Sequence, residues 1–194
     1  MTNIRFPESN LIILYANSER TYREKDIQVP EHIYNRIISC VHVYRRILNS
    51  KPDRAQTEIL VVTAQKNLGD SIKQILFAKE SIDKSAVKII SNKGTLAAAL
   101  ESVLDKMKER KNPPTTYVVT SHWQREIYDN ISIKFKELKV HFEGVLDRRP
   151  MLEIDGEREK EMASKGFEFY KEKAKNKAVD FLLNRMFPDK EKGQ

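Results

Sequence analysis

The sequence predicts an α/β fold, specifically a Rossmann-like three-layer sandwich with a mostly parallel five-stranded sheet and helices on both faces. Two observations support this prediction. Short runs of β-branched and aliphatic residues alternate with longer stretches in which apolar residues recur at helical spacing, as in β-α units around a parallel sheet. The short runs are continuously apolar, which is expected of strands that helices cover on both faces. The 194 residues suffice for a sizeable core, and without an internal repeat or a long linker we expect a single domain over residues 1–194.

Five segments have the composition of buried strands, because each is rich in apolar residues and bounded by polar or turn-forming residues. They are residues 11–16, 59–63, 87–90, 116–120 and 140–142, the last with a continuation toward residue 146. Since helical stretches separate them along the chain, we expect these strands to run parallel to one another.

The stretches between the strands have the periodicity of amphipathic helices. Pro30 opens the first helix, where its missing N–H costs nothing. Thr95 is placed to cap or begin the third. The fourth carries apolar residues at roughly four-residue spacing from Trp123 to Leu138. These helices are long enough to cross back over the sheet between successive parallel strands.

Composition and charge narrow the class of protein. The longest apolar runs are far shorter than a membrane span, and the amino end lacks a secretory pattern, so we expect a soluble cytoplasmic protein without membrane contact. The single cysteine, Cys40, excludes an internal disulfide and a cysteine-cluster metal site. The net charge is +7, but Lys and Arg are scattered among many Asp and Glu residues. That pattern is typical of solvated surfaces and argues against nucleic-acid binding.

The most informative segment is residues 117–125, Tyr-Val-Val-Thr-Ser-His-Trp-Gln-Arg. A buried strand ends there, and Thr120, Ser121 and His122 begin a helix that carries Arg125 on the same face as His122. Ligands collect at the carboxyl ends of strands in open α/β sheets, and helix amino ends favour anions. The segment therefore predicts an anion site. The alternative is a hydroxyl that merely caps the helix beside a half-exposed imidazole.

Further candidates follow the other strands. Glu19 and Asp70 are the carboxylates best placed for acid–base work or a metal, and His122 is the third candidate for catalysis. The other predicted ligand-binding residues lie at strand ends or early in the helices that follow them; they are Asn17, Ser18, Arg36, Thr63, Asn92 and Thr95. For the loop residues the alternative is a solvated turn, and for Arg36 it is a surface ion pair.

Several common catalytic and cofactor motifs do not occur in the sequence. There is no paired-histidine metal motif, no Gly-x-Ser-x-Gly elbow, no P-loop and no dinucleotide-binding glycine fingerprint, since Gly69 and Gly94 are isolated. The sequence therefore predicts no metal site and identifies no cofactor.

The motifs follow one another in an order that matches a known family. The matching segments are Leu11-Ile-Ile-Leu-Tyr15, Tyr34-Asn-Arg36-Ile-Ile-Ser-Cys-Val-His-Val-Tyr44, Ile59-Leu-Val-Val-Thr-Ala64, Asp70, Asn92-Lys-Gly-Thr95 and Val119-Thr-Ser-His122-Trp-Gln-Arg125. Over about residues 11–146 the chain resembles the YdcF-like domain, whose superfamily includes the bacterial SanA and ElyC proteins. The resemblance implies the same fold and a site at the strand ends. It also implies an association with cell-envelope processes and, for one branch, binding of S-adenosylmethionine.

The chain departs from the family pattern at two loops. The family's first two strands end in pairs of glycines, whereas this chain has Tyr15-Ala16-Asn17 and Thr63-Ala64-Gln65. Glycine allows a backbone to approach a ligand closely, so these two loops are less suited to cradle a phosphate.

Two functions remain open from the sequence. The first is binding of, or action on, a small anionic ligand, phosphorylated or nucleotide-like. The second is a non-catalytic interaction protein, in which a final helix over about residues 157–186 mediates self-association or partner docking. That helix is expected to pack on the domain through residues that include Phe167 and Phe181, followed by a short frayed tail at 189–194.

Overall fold

The computed structural model describes residues 9–17, 29–50, 56–91 and 95–165. Within these ranges one sheet contains five strands: β1 (Ser9–Tyr15), β2 (Gln56–Thr63), β3 (Val87–Ser91), β4 (Thr115–Ser121) and β5 (Val140–Val145). Their order across the sheet is β3-β2-β1-β4-β5, and every neighbouring pair is parallel. The predicted five-stranded parallel sheet is confirmed.

Helices cover both faces of this sheet. They are α1 (Glu31–Ser50), α2 (Lys66–Gln74), α3 (Leu96–Lys108) and α4 (Arg125–Lys134). A further described helix, α5 (Met151–Lys165), follows β5. One core cluster joins alternate strand residues to α1 and α2, and the other joins the intervening residues to α3 and α4. On the central strand, for example, Ile13 belongs to one core and Ile12 to the other. The chain therefore has the predicted Rossmann-like three-layer arrangement.

The strand order creates a crevice between β1 and β4. The chain runs outward from β1 to β3 and then crosses back to β4, so the helices that follow β1 and β4 lie on opposite faces. In open α/β sheets this reversal is the topological switch point, and ligands bind outside the carboxyl ends of the strands there. The carboxyl ends of β1 and β4 are Tyr15 and Ser121.

Some element boundaries differ from the predicted ones. The helical stripe that was expected to reach Leu138 ends as a helix at Lys134, yet Phe135 and Leu138 are still buried in the turn that follows. The last helix that the structure describes begins at Met151, whereas the predicted helix began near residue 157; the carbonyl of Pro150 accepts its first hydrogen bonds, from Glu153 and Ile154. The predicted continuation to residue 186, with Phe167 and Phe181, and the tail at 189–194 lie outside the described residues.

Within the described ranges, no helix combines the length and the apolar composition that crossing a bilayer requires.

Candidate functional site

A buried arginine lies at the switch point. Arg36 projects from the second turn of α1 and is only 1% exposed. Its Nη1 donates to the carbonyl of Tyr15 at 3.0 Å, and its Nη2 donates to Oγ of Ser121 at 2.6 Å. The guanidinium therefore bridges the carboxyl ends of β1 and β4. Its Nε has no hydrogen-bond partner among the described residues, which is a costly state for a buried N–H.

Asp147, just after β5, supplies the counter-charge. Its Oδ2 accepts a hydrogen bond from Ser121 at 2.7 Å and lies 3.7 Å from Nη2 of Arg36. Burial alone would raise the pKa of Asp147, but hydrogen bonds from Arg149 and Ser121 outweigh burial and hold that pKa below its ordinary range. Burial lowers the pKa of Arg36 to about 10, against the opposing charge of Asp147. Both groups are therefore charged at neutral pH.

Arg149 joins this cluster to the last helix. Its Nη2 donates to Oδ2 of Asp147 at 2.7 Å and to Oε2 of Glu157 at 2.8 Å, and its Nη1 pairs with the other oxygen of Glu157. Burial alone would lower the pKa of Arg149, but the bonds to Glu157 and Asp147 outweigh it and raise that pKa. The arginine therefore holds the amino-terminal half of α5 against the carboxyl ends of the strands.

A second carboxylate of α5 lies at the amino end of α3. The backbone N–H of Leu96 donates to Glu161 at 2.7 Å (Oε1) and 3.0 Å (Oε2). The hydroxyl of Tyr15 also donates to Oε1, at 3.0 Å. Burial raises the pKa of Glu161 above its ordinary value, against the opposing hydrogen bonds from Leu96 and Tyr15. A helix amino end favours an anion, and here the chain supplies that anion itself.

Asn17 links the loops that follow β1 and β2. Its Nδ2 donates to the hydroxyl of Tyr15 at 3.2 Å, and its Oδ1 accepts from the backbone N–H of Ala64. Burial and the Glu161 carboxylate raise the pKa of Tyr15, so this phenol stays protonated and able to donate. Asn17 therefore belongs to the same polar network as the α3 amino end.

Several predicted site residues lie at or next to this crevice. Arg36 and Ser121 bond to each other there, and Asn17 is linked to them through Tyr15. Thr95 caps α3 by accepting a hydrogen bond from the backbone of Ala98 at 3.3 Å, as its sequence position predicted.

Two other predicted threonines form hydrogen bonds within the turns that follow their own strands. Thr63 is buried at the end of β2, and its Oγ1 accepts from the backbone N–H of Gln65 at 3.2 Å. Thr120 is buried in β4 and donates to the side chain of Gln124. Both hydroxyls therefore stabilise strand-to-helix turns.

Arg125 and His122 have different neighbours from Arg36. Nε of Arg125 donates to Asp129 at 2.8 Å, and its guanidinium lies 5.1 Å from the ring centroid of Phe142 on the edge strand. Arg125 lines a shallow groove of about 510 Å³ beside β5. His122 is exposed and lies against Gly144 of β5, where an added β-carbon would be 3.2 Å from His122 and would clash with the Phe142 ring at 2.6 Å. The two residues therefore lie along the β5 edge.

Of the two predicted carboxylates Glu19 and Asp70, only Asp70 is among the described residues. Asp70 is exposed on α2. Glu19 lies outside the described residues, as do the predicted ligand-binding residues Ser18 and Asn92. Among the described side chains, no group of three or more His, Cys, Asp or Glu residues could hold a metal ion.

The sequence analysis did not predict that charged residues after β5 belong to the site. Asp147 and Arg149 belong to a charged run that marks the end of β5, and their position after a parallel strand was the available signal. Glu157 and Glu161 are four residues apart, so they share a helix face, but this spacing is also common on solvated helices.

Comparison with protein-family models, with curated proteins and with solved structures finds no match to this chain.

Proposed function

We propose that this protein binds a small anionic ligand, phosphorylated or nucleotide-like, in the crevice at the carboxyl ends of β1 and β4. The observation that carries the proposal is the buried guanidinium of Arg36, which joins Tyr15 to Ser121 at the switch point and leaves Nε unpaired among the described residues. An arginine presents several N–H donors in a planar fork that suits phosphate and carboxylate oxygens. An acceptor from a ligand would satisfy the remaining donor.

The electrostatics around Arg36 support the same ligand class. Arg149 and the amino end of α3 add positive potential beside it, and the chain balances that potential with Asp147, Glu157 and Glu161. Of these three carboxylates, Asp147 follows β5 and accepts from both Ser121 and Arg149 at 2.7 Å, whereas Glu157 and Glu161 lie on α5. The two carboxylates of α5 are the ones that a ligand could replace.

The proposal is one of binding, without a reaction step. In the described crevice the Tyr15 hydroxyl and the Glu161 carboxylate bond to each other, and the carboxylates of Asp147 and Glu157 pair with Arg149. The YdcF-like resemblance remains a proposal as well, and it supports a site at the same strand ends through its Ser121 and Arg36 positions.

The test is a titration with three probes: inorganic phosphate, inorganic pyrophosphate and adenosine monophosphate. Isothermal calorimetry would compare wild type with Arg36→Lys and with Arg45→Lys. Arg45→Lys is the same chemical change on the same helix, but the side chain of Arg45 is 55% exposed and pairs with Glu80. We expect Arg36→Lys to weaken binding about tenfold or more, because lysine lacks the planar fork, and Arg45→Lys to bind as wild type does. Absence of binding to all three probes, or equal weakening by both variants, would contradict the proposal.

A second candidate is docking of a partner or of a second copy through the start of α5. Met151 is 66% exposed and Leu152 is 85% exposed, and Leu146 just before them is 66% exposed. Contiguous exposed apolar side chains often mark interaction sites. Light scattering behind size exclusion would compare wild type with Leu152→Ser over a range of concentrations. For self-association we expect a wild-type dimer that Leu152→Ser converts to a monomer; a wild type that stays monomeric throughout would rule it out.

A further inference from the structure

We infer that α5 is a displaceable cover of the crevice, and that the Glu161 carboxylate occupies the position that the anionic group of the ligand takes. Docking of α5 and binding of the ligand would then exclude one another. This inference rests on the proposed anion binding and adds that the Glu161 carboxylate competes with the ligand for the same hydrogen-bond donors.

The contacts of Glu161 are those that an anionic ligand receives at a helix amino end. Both of its oxygens accept from the N–H of Leu96, and Oε1 accepts from the hydroxyl of Tyr15 as well. Thr95 already caps α3 through Ala98, so the helix does not depend on Glu161 for its cap. The carboxylate is thus an additional acceptor, brought in from 65 residues farther along the chain.

The side chains of α5 that the structure describes attach it to the domain mainly through polar contacts. Ile154 is the one apolar side chain of α5 that is buried among those the structure describes, whereas α3 buries six residues. The polar contacts of α5 include the ion pair of Glu157 with Arg149 and the hydrogen bonds of Glu161. Elements with few buried apolar contacts are the ones that open at low free-energy cost.

Release of α5 would leave a set of donors in place. Tyr15 and Leu96 lie on β1 and at the start of α3, and Arg149 would remain bonded to Asp147 after losing Glu157. The guanidinium of Arg36 bonds to the carbonyl of Tyr15 and therefore lies at the same strand end. An anionic group could therefore replace the α5 carboxylates without rearrangement of the sheet.

The test combines pyrophosphate titration with hydrogen–deuterium exchange of residues 151–165. The variant is Glu161→Ala, and the matched control is Glu159→Ala, an exposed glutamate on the same helix. We expect Glu161→Ala to bind pyrophosphate about tenfold more tightly, because a binding-competent state that is rarely populated lowers apparent affinity. Glu159→Ala should bind as wild type does. In wild type, saturating pyrophosphate should accelerate exchange in residues 151–165.

The outcomes separate this inference from the proposed function. If pyrophosphate binds wild type and Glu161→Ala equally, and exchange in residues 151–165 does not change, anion binding stands and the cover is wrong. Weaker binding by Glu161→Ala would also overturn the cover, because Glu161 would then support the site. If no probe binds wild type, anion binding and the cover both fail. The exchange measurement on wild type needs no variant, so it decides the matter even if Glu161→Ala does not fold.

Discussion

The hydroxyl of Tyr15 donates a 3.0 Å hydrogen bond to the carboxylate of Glu161, across a separation of 146 residues in the chain. Tyr15 ends the central strand of the sheet, and Glu161 lies in the last helix that the structure describes. The bond therefore ties the middle of the fold to a helix that also pairs with Arg149 through Glu157.

Glu161→Gln should raise the thermal midpoint at pH 7.5. Burial raises the pKa of Glu161 in the folded state, so folding favours its protonated form. The stability that protonated Glu161 contributes is fully present below the pKa that Glu161 has in the unfolded chain. It is lost as pH rises through the pKa that Glu161 has in the folded protein. A neutral glutamine keeps an acceptor for Leu96 without that loss, so its advantage over wild type should shrink toward pH 4. Melting curves from pH 4 to 8 check this. A midpoint below that of wild type by the same amount at every pH would contradict it.

Asp147→Asn should destabilise the protein by about 3–5 kcal/mol, because removing one partner of a buried ion pair leaves the other uncompensated. The side chain of Asp147 is 3% exposed, and it faces Arg36 and Arg149. Urea unfolding measures the change. The control is Asp129→Asn, whose partner Arg125 is also exposed, and it should cost less than about 1 kcal/mol. Equal effects of the two substitutions would show that the buried cluster adds no stability.

The charge of Asp147 also predicts how the unfolding free energy changes at acid pH. The folded-state pKa of Asp147 lies below its ordinary value, so its contribution is present above the unfolded pKa and is lost as pH falls through the folded pKa. The gap in unfolding free energy between wild type and Asp147→Asn should therefore narrow as pH falls below about 4, near the unfolded pKa of an aspartate. A gap that stays constant down to pH 2 would contradict the charged role of Asp147.

Ser121→Ala should cost about 1.5–3 kcal/mol, the range for hydrogen bonds to charged groups. Its hydroxyl accepts from Arg36 and donates to Asp147, so one substitution removes both bonds. Ser71→Ala is the control, since that hydroxyl only donates to the carbonyl of Asn67 within α2. Chemical denaturation would compare the two. A loss no larger than that of Ser71→Ala would show that Ser121 does not connect the two charges.

Arg125→Ala should leave both the stability and the affinity for pyrophosphate nearly unchanged. Its side chain is 56% exposed and pairs with an exposed aspartate, an arrangement worth about 1 kcal/mol or less. The sequence predicted instead that this arginine holds the ligand, so its loss would weaken binding about tenfold, or about 1.4 kcal/mol. Titration of Arg125→Ala beside Arg36→Lys decides between the two arginines. Weakened binding by Arg125→Ala alone would move the site to the β5 edge.

The sequence was sufficient for the fold because the sheet is buried on both faces. The continuous apolar run of β1 and the helical spacing around Ile33 and Ile37 are local patterns that can be read without tertiary information. The position of Arg36 could be predicted for the same reason, since it follows from its place early in α1. Its role as a bridge depends on β4 lying beside β1, which is a property of the strand order.

The rest of the site depends on contacts that local patterns do not encode. A short 3₁₀ turn at His122–Gln124 separates β4 from α4, so Arg125 begins the helix and lies beside the edge strand. Glu157 and Glu161 resemble any solvated glutamates in sequence. Only their contacts with Arg149 and Leu96, on other elements, distinguish them.

The central position of β1 has a consequence for synthesis of the chain. Among the described strands, β1 precedes the other four along the chain, and one of its edges can pair with β2 as soon as that strand has emerged. Its other edge must wait for β4, more than fifty residues later, which at roughly 5–20 residues per second is several seconds of translation. During that interval the most apolar strand exposes an unpaired edge, the feature that promotes aggregation of nascent chains. Synonymous changes that slow translation between β2 and β4 should therefore reduce the yield of folded protein more than the same changes placed after β4.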